Sequence, residues 1–109
     1  MKTAVCAAIV LPLLAMPAMA QSNCPEEQGL RSINSELPSA ITFVNGTQDD
    51  VQVFWIDFEG VKQQYGWIAP GQSHMQQTYV SHPWAVYNRH GECLGVYFPE
   101  AGPRQIRVG

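Results

Sequence analysis

The chain has 109 residues, of which 46% are apolar and 14% charged, with nine acidic against six basic side chains and a formal charge of −3. A mildly acidic chain with no basic run lacks the electrostatic footprint that nucleic acid or an anionic membrane surface requires, so neither is an expected partner. Length and composition suit one domain with a modest core.

The N-terminus reads as an export signal. Lys2 is a short positive region, Ala4 to Ala15 is apolar apart from Pro12, and Ala18-Met19-Ala20 forms a small-x-small pattern before Gln21. The apolar stretch falls short of the roughly 20 residues of a spanning helix, and Ser22-Asn23 before Cys24 does not form a lipid-attachment box. Residues 1–20 are therefore expected to be a cleavable signal peptide, with no membrane anchor, and the product to be secreted or periplasmic. The competing reading makes this stretch an N-terminal helix of the fold. Cleavage after Ala20 leaves 89 of the 109 residues and, with Lys2 gone, moves the formal charge from −3 to −4.

Cys6 leaves with the signal, so two cysteines remain, Cys24 and Cys93. In an oxidising compartment an even pair suggests a disulfide, with two free thiols as the alternative. A bridge would close a loop of about 70 residues, worth roughly 4 kcal/mol on the chain-entropy model. Neither cysteine belongs to a CxxC or stands at metal spacing from a histidine, so no redox or zinc site is expected.

Residues 21–38 are polar without sustained periodicity and read as an arm; residues 39–109 read as the domain. Short runs rich in β-branched and aromatic residues alternate there with turn clusters. Strands are expected at Ala40–Asn45, Val51–Phe58, Val61–Trp67, Ser73–Tyr79, Trp84–Asn88, Cys93–Phe98 and Gln105–Val108. On the second, Val51, Val53 and Trp55 share one face and Phe54, Ile56 and Phe58 the other. Two apolar faces suggest a central strand, covered on one side and put to another use on the other. Seven short strands without a helical period predict an all-β sandwich or small barrel.

Catalytic constellations are scarce. Asp57 and Glu59 flank a turn and read as solvated rather than as an acid–base pair. His74, His82 and His90 are eight apart and form no HxH or HxxxH, so neither a metal nor any other cofactor is implied. Asn45-Gly46-Thr47 fits a glycosylation sequon and an Asn-Gly turn alike; the bacterial character of the signal favours the turn. What remains is a group of aromatics with polar neighbours, notably Thr78-Tyr79-Val80-Ser81-His82-Pro83-Trp84. If that segment is extended, Thr78, Val80, His82 and Trp84 point one way. A hydroxyl and an imidazole beside an indole suit a largely apolar ligand carrying one hydroxyl. Pro83 removes a backbone donor, which predicts an edge or a loop there.

Leu30-Arg31-Ser32-Ile33-Asn34-Ser35, Pro38-Ser39, Ile41–Asn45, Val53–Gly60, Tyr65, Ala69-Pro70-Gly71, Thr78-Tyr79 and His82-Pro83-Trp84 together resemble the von Hippel–Lindau β-domain family. The resemblance runs from Leu30 to about Val86 and loosens after Asn88. It implies a seven-stranded β-sandwich and a non-catalytic pocket for a peptide bearing 4-hydroxyproline. Carried over, that pocket consists of Trp55, Tyr65, Thr78, His82 and Trp84, with Thr78 in the place of a serine. The resemblance gives Trp55, Tyr65 and Trp84 the role of walls for the pyrrolidine ring. It makes Thr78 and His82 partners of the ring hydroxyl, and the Tyr65 hydroxyl and Gln77 backbone contacts for the peptide.

There are departures too. Glu36, His74 and Met75 stand where the family carries basic residues, so the acidic target peptide is not implied. The chain stops at Gly109 without the family's adaptor-docking helices, so no elongin-type adaptor is expected. The alternatives are a structural or inhibitor-like exported β domain, in which the aromatics are merely core, or a binder of another small hydroxylated ligand.

Overall fold

A computed structural model describes residues 24–109; the signal-peptide reading of residues 1–20 lies outside the described residues. Seven strands follow one another: β1 Pro38–Asn45, β2 Val51–Ile56, β3 Lys62–Ile68, β4 Ser73–Tyr79, β5 Trp84–Asn88, β6 Cys93–Tyr97 and β7 Arg104–Val108. They form a three-stranded sheet, β4-β1-β7, and a four-stranded sheet, β3-β2-β5-β6. The fold is the expected seven-stranded, all-β sandwich. β1 pairs antiparallel with β4 and parallel with β7, and the four-stranded sheet is antiparallel throughout.

Strand alternation builds the core. Ile41 and Phe43 of β1 with Ile106 and Val108 of β7 meet Val51 and Val53 of β2 and Trp84 and Val86 of β5 between the sheets. Burying each such side chain contributes about 1.5–3 kcal/mol. The sheets are linked by tight corners. Gln72 N–H donates to the Ala69 carbonyl at 3.0 Å, and Gly71 lies at φ 76°. Proline then glycine at the two central positions is the chemistry of a type II turn, and it carries the chain from β3 in one sheet to β4 in the other. Asn45 is buried against this corner and donates through Nδ2 to the carbonyls of Asp49 (2.8 Å) and Ile68 (2.9 Å). The Asn-Gly-Thr segment is thus a turn whose amide nitrogen is already committed.

β2 is central, as expected, but its outer face is not left open for another use. Ile56, Ala85 and Tyr87 form a second cluster there with Cys24, against which Leu30 and Phe54 pack. The arm covers this face. It is tied down by the Cys24–Cys93 disulfide, whose Cα atoms are 5.3 Å apart. Glu27, ending a 3₁₀ turn at Pro25–Glu27, adds an ion pair to Lys62 at 2.8 Å and a hydrogen bond from the Tyr87 hydroxyl. The strand limits also shift: β1 starts at Pro38, the last residue given to the arm. β2 stops at Ile56, because Asp57 turns the chain. Its Oδ1 accepts the N–H groups of Glu59 and Val61, each at 2.9 Å.

Candidate functional site

The predicted site residues other than Gln77 converge at one end of the sandwich, where β2 ends, β5 begins and β4 hands over to β5. Trp55 lies opposite Trp84 in the β2–β5 register. Thr78 comes from the other sheet, at the end of β4. The Trp84 Nε1–H donates to the Thr78 hydroxyl at 2.9 Å in a buried bond that joins the two sheets. Thr78 is 6% exposed and Trp84 2%. The floor of the site is therefore built into the core.

His82 reaches the same place by a turn, where the sequence suggested an extended segment. β4 ends at Tyr79, and His82 N–H donates to the Tyr79 carbonyl at 3.1 Å. Ser81, the third residue of that turn, has φ 79° and is the one non-glycine with positive φ among the described residues. The turn is type II, a conformation in which glycine is preferred at that position; serine costs about 1–2 kcal/mol there. The two-residue alternation of β4 therefore lapses after Tyr79. Pro83 sits in the loop before β5, as its missing donor predicts, and its carbonyl accepts the Ile56 N–H at 3.0 Å.

Tyr65 is placed by a β-bulge. Val53 pairs with Gly66 but Phe54 pairs with Gln64, so Tyr65 is the extra residue in β3. Gly66, at φ 154°, accommodates the distortion. Bulges of this kind re-aim side chains, and here the Tyr65 ring meets Trp84 edge-on at 5.0 Å and Trp55 at 6.3 Å. Gln77 stands apart from the rings. It is exposed on β4, an edge strand, and its carbonyl accepts Gln76 Nε2–H at 2.9 Å.

His82 is the chemically distinctive group. Its ring stacks on Trp55 at 5.7 Å with a 31° tilt, and it touches Phe58 at 5.3 Å and Tyr79 at 5.5 Å. The residue is 8% exposed, and its Nε2 is buried without a hydrogen-bond partner among the described residues. Burial lowers its pKa below the ordinary histidine value, opposed by a hydrogen bond to the Ile33 backbone. A neutral ring with its proton on Nδ1 offers a lone pair at the unpartnered Nε2. Thr78 is complementary: its oxygen accepts from Trp84, and its proton remains to be donated.

Three contributors lie outside the pocket expected by resemblance. Phe58, expected on the outer face with Phe54 and Ile56, instead packs edge-on against Trp55 at 5.5 Å, because β2 ends before it and the alternation lapses. Tyr79 flanks His82. Ser32, fully buried, accepts a bond from Trp55 Nε1–H at 2.8 Å; its place in the quoted Leu30–Ser35 segment was the available signal. Asp57 and Glu59 form no acid–base pair: Asp57 caps its turn, and a bond from Gln63, followed by one from Val61, holds its pKa below the ordinary carboxylate value. Among the described residues Cys24, Glu27 and Cys93 approach within metal-binding distance of one another, but both sulfurs are spent in the disulfide.

The sequence model of the VHL beta domain matches residues 30–96. This span is more than half of the chain and holds every residue of the ring cluster, and the chain belongs to that family. Its general reading is accordingly a recognition module for a protein partner.

Proposed function

We propose that this VHL β domain is an exported, non-catalytic module that binds peptides through a hydroxylated proline. Residues 1–20 act as its signal peptide, and its partner lies outside the cytoplasm. The observation that carries the reading is the buried, unpartnered Nε2 of His82, whose ring stacks on Trp55, the cross-strand neighbour of the Trp84 that bonds the Thr78 hydroxyl.

A ring hydroxyl is one donor and one acceptor, and it would donate to His82 Nε2 while accepting from Thr78. Trp55, Tyr65 and Trp84 supply flat apolar walls for the pyrrolidine. Phe58, Tyr65 and Tyr79 are 42%, 47% and 44% exposed, and entry requires these rings to turn aside. The Tyr65 hydroxyl and the Gln77 backbone on the β4 edge are the contacts for the flanking peptide. Unmodified proline leaves both polar groups without a partner, at about 1–3 kcal/mol each, so selectivity of roughly 10²- to 10³-fold is expected. Glu36, ahead of β1, and Met75, on β4 opposite Thr42, are exposed and carry no positive charge, which disfavours an acidic target.

The test is a titration with paired peptides differing only in proline and 4-hydroxyproline, followed by tryptophan fluorescence. Tighter binding of the hydroxylated peptide supports the reading. Equal affinities, or none, exclude it. A third arm with a small hydroxylated ring outside a peptide shows how much of the binding the hydroxyl pocket provides alone.

A further inference from the structure

The arm does more than cover the sheet. Two consecutive arm residues reach Trp55 and the turn that carries its stacking partner His82. Ser32 Oγ donates to the Ile56 carbonyl at 2.6 Å and accepts from Trp55 Nε1–H at 2.8 Å, which uses its one proton and one of its two lone pairs. Its own N–H donates to the Asp57 carbonyl at 2.9 Å, and the next N–H, of Ile33, donates to the Ser81 carbonyl at 3.3 Å. Ser32 thus extends β2 by one side-chain-mediated rung at the point where the strand ends. Ile33, bound to Ser81, holds the turn that carries His82, whose own N–H donates to the Tyr79 carbonyl.

We propose that Ser32 is a positioning residue of the binding site: its hydroxyl sets the orientation of the Trp55 indole, and the segment it anchors holds, through the Ile33 N–H, the turn that carries His82. The proposal rests on the hydroxyproline reading for the identity of the ligand, and on geometry alone for the orientation of the rings. Trp55 has a broad face and a single N–H. Without a fixed acceptor the ring can turn about its side-chain bonds, and the wall that His82 stacks on is lost. The sequence around Ser32 is polar and aperiodic, yet the residue is fully buried, as a hydroxyl with both hydrogen-bonding functions engaged can be.

Hydrogen exchange of the indole N–H groups in the oxidised, full-length protein tests the orientation, and the paired peptides test its consequence. In Ser32→Ala the Trp55 indole N–H is expected to exchange about tenfold faster or more, from loss of one buried hydrogen bond, and the preference for hydroxyproline to fall about tenfold. The Trp84 indole N–H, bonded to Thr78, stays protected and reports that the fold is intact. Unchanged Trp55 protection overturns the proposal, as does an unchanged preference once that protection is lost. Should Ser32→Ala lose Trp84 protection as well, Trp55→Phe keeps a ring and removes its N–H; an unaltered preference in that variant overturns the proposal. A wild-type protein without hydroxyproline preference defeats the ligand reading instead, while the indole exchange still judges the orientation.

Discussion

The Trp84 indole and the Thr78 hydroxyl meet at 2.9 Å across the two sheets, so one bond both closes the sandwich and aims the hydroxyl proton. Thr78→Val keeps the shape and removes the acceptor, leaving a buried N–H unpaired. Stability to urea is expected to fall by about 1–3 kcal/mol, and discrimination between proline and hydroxyproline to fall with it. Thr78→Ser retains both. A serine variant that behaved like valine would place the discrimination elsewhere.

His82 predicts the pH response. Its folded pKa is lowered by burial, so between that value and the ordinary one near 6.5 the unfolded chain binds more protons than the folded one. The contribution is intact above about pH 6.5 and is lost as pH falls toward the lowered value. Protonation also replaces the Nε2 lone pair by a donor. Affinity for the hydroxylated peptide should therefore weaken over the same acid range, more than affinity for the proline peptide. Isothermal titrations between pH 7.5 and about 5 check this, and His82→Phe should flatten the profile.

Tyr65 separates affinity from selectivity. Its ring meets Trp55 and Trp84, and in the proposed site its hydroxyl is a contact for the flanking peptide. Tyr65→Phe is expected to weaken both peptides by roughly five- to tenfold, the loss of one hydrogen bond, and to leave their ratio unchanged. Gly66→Ala is expected to disturb the bulge itself and cost about 1–3 kcal/mol, because φ 154° is poorly tolerated by a residue with a side chain.

The disulfide spans 69 residues, and its reduction should lower stability by up to about 4 kcal/mol through loop entropy. Denaturation with and without reductant measures this. No change would mean that Glu27 and its partners hold the arm unaided.

The strands were legible because β-branched and aromatic runs are bounded by turn residues whose backbone needs are local: Pro70-Gly71 for a type II turn, Asp57 and Gly60 for the hairpin after β2. The pocket residues were legible by resemblance, and the structure brings Trp55, Tyr65, Thr78, His82 and Trp84 together. Phe58 was misplaced because alternation carries information only while the strand lasts, and β2 ends at Ile56. The role of the arm was hidden for another reason. Ser32 is buried because Ile56 and Trp55 satisfy it, and such partners, 24 and 23 residues away, leave no periodic trace. Ser81 likewise takes a glycine-like conformation that its residue type does not announce.

The most direct measurement is the affinity of the protein for two peptides identical but for one proline hydroxyl. Hydroxyproline recognition predicts at least about 10²-fold tighter binding of the hydroxylated peptide, lost in the Thr78→Val/His82→Ala double variant. Equal binding by the wild-type protein, or a preference that survives in the double variant, would contradict it.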